Sequence, residues 1–514
     1  MSNFLKHYHK ISTKVFFFGL SLIIISLFFS RFLISIGFFI ILFNWMLERD
    51  FNKKRMLFNK NKIGISIVLI LLIHIVGLIH TQNLDDGIFD IKIKLPFLFI
   101  LVYGTSQVHT KNGRDKMLIL YLVTVLVSSI VAIIGFIFIH DYIGLEDLSE
   151  IALVGGNIQQ AYFVNFALVI VVYFLFFSGV KLLKFRLALY ISGVWLLCYL
   201  FILNALTGYL VLGVLFLYHA FFLIHSKKIK FGLAIISVGL LVLLGFYFNK
   251  VSSGFSVSNN IHFQDLPTHT ANGNAYEHDT IRWRTENGNI IDIYFCEKEM
   301  RKGWEKISEL SYDDKDLKDQ QLSETLKRYL SSKNLKKDSV GLSGLSSRDV
   351  KYIESGCANY MYTNKFSIEA RIHFVLWQLN TYYRTGIADN QSISQRIVFY
   401  KAALFLIKNN FWFGVGSGDV VEESKAYFEK FGSGLSEKNY NRVHNQFVVE
   451  LVALGVFGFL AFIFLLFYPY FKNRKWNDYL LTSFYLIIIA SFLTDNLFET
   501  QLGMSFFTVF YDYL

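Results

Sequence analysis

What constrains this chain most is a succession of long apolar stretches separated by short basic loops. The stretches 15–46, 63–80, 95–107, 117–140, 161–179, 187–224 and 231–248 follow one another through the first half, and 446–470, 479–494 and 502–514 close the chain. About 20 apolar residues in a helix match the hydrocarbon thickness of a bilayer. Inside that layer only a helix or a closed barrel satisfies its own backbone. These stretches are continuous rather than alternating, and of 514 residues 54% are hydrophobic and only three are proline. The chain therefore reads as an all-α polytopic membrane protein. Two of the stretches, 15–46 and 187–224, exceed one bilayer crossing and break at polar points, Ser30 with Arg31 and Asn204 to Gly208. Each is taken as two spans, which gives about twelve transmembrane helices.

Charge sets the expected sidedness. A net charge of +11 would suit a nucleic-acid partner, but Lys and Arg gather in short loops: Lys6, Lys10 and Lys14; Arg49 to Lys62; Lys111 to Lys116; Lys181 to Arg186; Lys227 to Lys230; Lys472 to Lys475. The positive-inside rule accounts for this spacing, so the expected partner is a lipid bilayer and not nucleic acid. Both termini are expected in the cytoplasm, with the acidic loops at Asp85 and at 141–150 outside. The stretch 15–29 has no small-residue cleavage site and runs on into apolar sequence, so it reads as a retained span rather than a signal peptide.

Three regions follow: 1–248 with nine spans, 249–443 as a large external loop domain, and 444–514 with three spans. The loop is charged, with no stretch long enough to cross. It is expected to be mostly helical, over 297–310, 317–334, 347–355, 367–385, 392–410 and 421–431. A small β-hairpin is expected over 280–295 around Asn287 and Gly288. Cys296 and Cys357 fall here, where an oxidising compartment would permit a disulfide between them.

Chemistry has few candidates. His444 stands where the apolar helix 446–470 begins, and it is the one side chain there that titrates near neutrality. It suits a proton-transfer role, and equally a helix cap. Arg396 falls in the first turn of a helix opened by the capping pattern of Ser392 and Gln395. The macrodipole disfavours a cation there, which an anion site would justify and a carboxylate partner would explain as well. Gly414, Gly416 and Gly418 in FWFGVGSGD resemble a phosphate cradle, but no strand precedes them and no lysine follows. They read as a sharp turn at the membrane surface. Asp314 with Asp316, and Asp85 with Asp86, are metal-like pairs; the first sits in a run of solvated charges and the second lacks further ligands, and no metal site is expected.

The whole pattern resembles the superfamily of O-antigen ligases, O-antigen polymerases and protein O-oligosaccharyltransferases. His444, Asn445, Gly455 and Gly458 meet its motif of His-Asn, nine residues, Gly, two residues, Gly. SISQRIVFYKAALFLIKNNFWFGVGSGD resembles its loop segment in which an arginine-bearing helix leads into a glycine-rich turn. Three features depart from it: Asn204 to Gly208 lacks the family's arginine, Tyr400 stands where leucine follows Arg396, and 260–390 is longer than the family needs. The resemblance implies an inverting glycosyltransferase without metal or other cofactor, in the bacterial inner membrane with its site facing the periplasm. Its donor would be a glycan on undecaprenyl diphosphate, and its acceptor the lipid A core in lipopolysaccharide biosynthesis, or else another lipid-linked glycan or a protein. His444 and Arg396 are the implied catalytic residues. Arg442, Asn445, Arg371 and Gly416 are implied contacts for the diphosphate or acceptor, with Arg384 a further substitute for the missing arginine. A transporter of lipid-linked sugars is the competing class. It would call for mid-membrane charges and internal repeats, and neither stands out.

Overall fold

The structure, a computed structural model, describes residues 2–105, 111–143, 151–179, 181–224, 226–253, 266–279, 281, 284–364, 367–389, 391–472 and 478–513. Gln107, the acidic stretch 144–150, and Arg474 with Lys475 lie outside them. The chain divides into two units, Met1–His225 with Gln395–Leu514, and Ser226–Ser394.

The first unit opens with α1 (Ser2–Phe29) and α2 (Arg31–Leu47), parted at Ser30, whose hydroxyl accepts the Leu33 N–H as an N-cap. The overlong stretch 15–46 thus divides at its polar point. α3 (Phe51–Lys60) turns away from α2 by 116°, its basic sequence being too polar to continue inward. Then come α4 (Lys62–Gly77), α5 (Leu84–Lys94), α6 (Phe99–Thr105), α7 (Lys111–Ile143), α8 (Asn157–Phe176), α9 (Leu183–Leu203) and α10 (Leu206–Leu223). Asn204 breaks α9 from α10 in the left-handed conformation, φ 52°.

The second unit holds α11 (Lys227–Ser253), α12 (Glu297–Trp304), α13 (Leu322–Ser332), α14 (Ser339–Ser343), α15 (Ser347–Glu354) and α16 (Ile368–Thr385). α11, expected as the ninth span, groups with this unit, where the Tyr247 hydroxyl donates to Glu369 of α16. The hairpin is present but minimal: Thr285–Glu286 pairs antiparallel with Asn289–Ile290. Asn287 (φ 50°) and Gly288 (φ 81°) are both left-handed, as a two-residue turn matching strand twist requires. Met300, Trp304, Leu322, Leu326, Tyr329, Leu330 and Ile353 form its core, each 0% exposed. Cys296 and Cys357 are not bridged: Cys296 is buried at the start of α12, and the Cys357 thiol donates to the Asn359 carbonyl. Asp316 of the metal-like pair is buried in a turn, accepting from Lys318 and Gln320 N–H and the Thr325 hydroxyl.

α17 (Ser392–Asn409), α18 (Val420–Phe431), α19 (Gln446–Lys472), α20 (Tyr479–Thr494) and α21 (Gln501–Tyr513) complete the chain. Ser392 is the first helical residue rather than the cap, and the Ile393 N–H is taken by the Gln378 side chain. Arg396 therefore sits just past the first turn.

Five helices are long and apolar enough to cross a bilayer: Ile11–Phe29, Lys111–Phe138, Asn157–Phe176, Leu183–Leu203 and Gln446–Lys472. Counting α2 with α3 as one bent span makes six; Gly64–His80, Leu206–Phe222 and Tyr479–Thr494 are apolar but shorter. The chain is multi-pass, and among the described residues five or six helices meet the length and composition of a crossing against the expected count of about twelve. At 95–107, Pro96 sits in a 3-10 turn and leaves only the seven residues of α6. α21 has 13 residues, about 20 Å of helix. Phe506, Phe507 and Phe510 are 0% exposed, and so are Ser505 and Thr508, so α21 is an interior helix packed on all sides. Around it Phe163, Phe166 and Tyr121 meet Phe506 and Phe510 with ring centroids 4.7 to 4.8 Å apart at the closest.

Candidate functional site

The site is built on a helix that starts with a cap and breaks ten residues later. Asn445 caps α19, its Oδ1 accepting the Val448 N–H at 3.2 Å. Within α19, Gly455 has φ 64° and ψ −173°, a conformation only glycine adopts without strain. The break frees the carbonyls of Val452 and Ala453. They accept the N–H groups of Val415 (2.9 Å) and Gly416 (3.0 Å), while Val456 N–H donates to the Phe411 carbonyl at 2.8 Å. The glycine-rich turn thus docks on the interrupted helix as a strand would. Contact is so close that a Cβ at Gly414 would lie 2.4 Å from the Ala453 carbonyl oxygen.

The rest of the turn is equally engaged. Ser417 Oγ donates to the His74 carbonyl, Gly418 N–H to Thr81 Oγ1, and Asp419 accepts the N–H groups of Gln82 and Asn83 at 2.7 and 2.8 Å. Gly416, expected among substrate contacts, therefore has its N–H committed to the lock, and a Cβ there would strike Thr81. Asn445 is engaged too: its Nδ2 donates to the Tyr400 hydroxyl (3.1 Å) and the Leu493 carbonyl (3.3 Å).

α17 lies against this segment through one face. The Phe399 ring stands 5.9 Å from the His444 ring, and Tyr400 meets Asn445. Arg396, one turn earlier, shares that face. It is half-buried and makes no ion pair or hydrogen bond with any described residue. Its charge and that of Asp495 both bear on the Tyr162 hydroxyl of α8, which pairs with Thr494 Oγ1 at 2.8 Å. His444 Nδ1 lies 3.7 Å from Asp495 Oδ1, with 35% of the imidazole side chain exposed. A carboxylate at Nδ1 favours the tautomer whose Nε2 is free to accept a proton.

Residues 356–463 match the family model described as O-antigen ligase. That segment holds Arg396, the glycine-rich turn, Arg442, His444, Gly455 and Gly458, and it makes this part of the chain O-antigen ligase-like. The family points to a glycosyltransferase-like enzyme acting on glycan or lipid-linked substrates in a membrane setting. No curated protein matches the chain.

Below the O-antigen ligase-like segment's histidine lies a buried ionic cluster. Arg442 Nη1 pairs with Glu499 at 2.6 Å, and Glu499 also meets Lys94 (3.2 Å) and Gln446 Nε2 (3.2 Å). Lys94 pairs with Asp90 at 2.5 Å, and Glu450 meets both Gln446 (2.9 Å) and His74 Nε2 (3.0 Å). Burial alone would raise the Glu499 carboxyl, but Lys94 and then Arg442 outweigh it and hold it well below the usual carboxylate range. The expected second cation, Arg442, is thus near His444 in sequence and held by an acid. Arg371 and Arg384 lie on α16 in the second unit.

Asp495, Glu499, Lys94 and Tyr162 were not among the residues the sequence singled out. Asp495 and Glu499 show in sequence only as acids after an apolar stretch, and Lys94 only as one of the charges in LDDGIFDIKIK. The Tyr162 hydroxyl has no signal apart from its neighbours in space.

Proposed function

We propose that this protein is a membrane glycosyltransferase that moves a glycan from undecaprenyl diphosphate to an acceptor at the outer face of the inner membrane, most directly the lipid A core. The observation that carries the reading is Arg396, a half-buried guanidinium without an acidic partner among the described residues, on the helix face that touches His444 and Asn445. A half-buried cation left unpaired in the free protein suits an anionic ligand, and a departing diphosphate is one.

The chemistry needs little else. His444 Nε2 accepts the acceptor hydroxyl's proton as its oxygen bonds to the anomeric carbon. The bond to the diphosphate oxygen breaks on the opposite face, which inverts that centre. Asp495 orients the imidazole and stabilises the imidazolium that forms. Arg396 and the free edge of Arg442 meet the charge growing on the diphosphate, and no step calls for a metal. Asn445 and Gly416 act as positioning residues through the cap and the lock.

The test is transfer from a defined undecaprenyl-diphosphate glycan in proteoliposomes containing chelator, with lipid A core, a second lipid-linked glycan and a Ser-containing peptide as parallel acceptors. Transfer to lipid A core by the wild type, lost in His444→Ala and Arg396→Ala, supports the reading. Transfer only to one of the other acceptors reassigns the product class. Unimpaired activity of His444→Ala removes the mechanism.

A further inference from the structure

We propose that Lys94 is a positioning residue of the transfer site, acting through Glu499 on Arg442 and on the turn that carries Asp495. The inference rests on the glycosyl-transfer reading for its chemistry, and on the buried cluster for its geometry.

Lys94 ends α5, far in sequence from every residue of the O-antigen ligase-like segment. Its side chain is 1% exposed, and its Nζ bridges Asp90 and Glu499. Glu499 divides its two oxygens: Oε1 takes Lys94 and Gln446, and Oε2 takes Arg442. The same turn is tied to the 443–446 segment twice more, by Asn496 Nδ2 donating to the Val443 carbonyl (2.8 Å) and Phe498 N–H donating to Gln446 Oε1 (2.9 Å). Glu499 is therefore the point at which α5, the approach to His444 and the turn bearing Asp495 are joined, and Lys94 is the cation that holds it ionised from the buried side.

Burying an ion pair this completely gains no stability over well-packed apolar residues of similar volume. What it supplies is fixed placement. With Lys94 on Oε1, Oε2 is left to Arg442, which is held by a single nitrogen. The remaining guanidinium nitrogens have no described partner, and the Arg442 side chain is 26% exposed. Loss of Lys94 frees Glu499 to rotate onto Arg442 alone, cancelling the charge an anion would meet and loosening the turn beside His444.

The experiment uses purified full-length protein in nanodiscs, with His444→Ala as the inactive control. Lys94→Met is expected to lower kcat/KM at least about 30-fold, mostly through a higher donor KM, while Lys94→Arg retains most activity. Because Lys94→Met leaves both Glu499 and Asp90 buried without their shared cation, a compensated variant that combines Lys94→Met with Glu499→Gln and Asp90→Asn is measured alongside it. The compensated variant should recover the wild-type melting temperature but not transfer. Inorganic pyrophosphate should raise the melting temperature of the wild type and Lys94→Arg and not that of Lys94→Met. Recovery of transfer together with the melting temperature makes Lys94 merely structural and overturns the proposal; so does full activity in a stable Lys94→Met protein, or a wild type that pyrophosphate does not stabilise. A wild type that binds pyrophosphate in a Lys94-dependent way yet transfers no glycan refutes the transferase reading while leaving this positioning intact.

Discussion

The turn at 411–419 and the face of α17 that bears Arg396 are close in sequence, and both carry residues that suggest anion binding. In the turn, the N–H groups of Val415, Gly416 and Gly418 each have a protein acceptor. On α17, the guanidinium of Arg396 has none among the described residues. The turn has the glycine pattern of a phosphate cradle and serves as a lock on a broken helix, whereas the helix has no phosphate-cradle pattern and keeps a cation unmatched among the described residues. Unmatched polar capacity at a half-buried position is the better guide to a ligand than a glycine-rich string, because matched donors have nothing left to offer.

That contrast is open to direct attack, most severely at His444. His444→Ala should lower kcat by about 10³-fold, within the range for a lost general base, with the protein inserting and accumulating as wild type. Arg396→Ala should cost about 10²-fold or more in kcat with stability unchanged, since no described residue pairs with it. The opposite profile is expected in the lock. Gly455→Ala forces a side chain into φ 64° with its Cβ 2.4 Å from Phe413 N, and should destabilise by roughly 3 kcal/mol, seen as a lower melting temperature or failure to accumulate. An Arg396→Ala protein that melts early, or a Gly455→Ala protein that melts normally and is only slow, would reverse the roles assigned to the two regions. Asn445→Ala should remove about 1 kcal/mol as a lost cap and reduce activity partially through His444 placement.

The smallest effect on transfer is expected far from the site and sharpens the comparison by its independence. In the second unit Glu299 is buried; burial opposes its charge, but Thr270, Ser339 and Asn274 donate to it and bring its carboxyl down to about 2. A folded value below the unfolded one means stability is present above about pH 4.5 and is lost as pH falls toward about 2. Glu299→Gln should flatten that acid limb in thermal melts by about 1 to 2 kcal/mol, without changing transfer at neutral pH.

Much of the architecture was legible before any coordinates. The break at Ser30 and the Asn287-Gly288 hairpin follow from local rules of capping and turn chemistry, which act over a few residues. The number of spans was less legible: apolar composition reports burial without distinguishing lipid from protein, and α21 and the seven-residue α6 are shorter than a full crossing. The disulfide between Cys296 and Cys357 failed because spacing carries no information on whether two thiols meet.

By itself, the sequence determined that the chain is helical and membrane-embedded, and it singled out His444 and Arg396 as candidates, since apolar run length, charge placement and a short motif are properties of neighbouring residues. Only the tertiary structure decided that Asp495 lies beside that histidine, that Gly455 exists to receive the 411–419 turn, and that Lys94 reaches Glu499 across the fold. Each of those depends on groups hundreds or tens of residues apart being brought within about 4 Å, where charge and hydrogen bonding first become strong enough to matter.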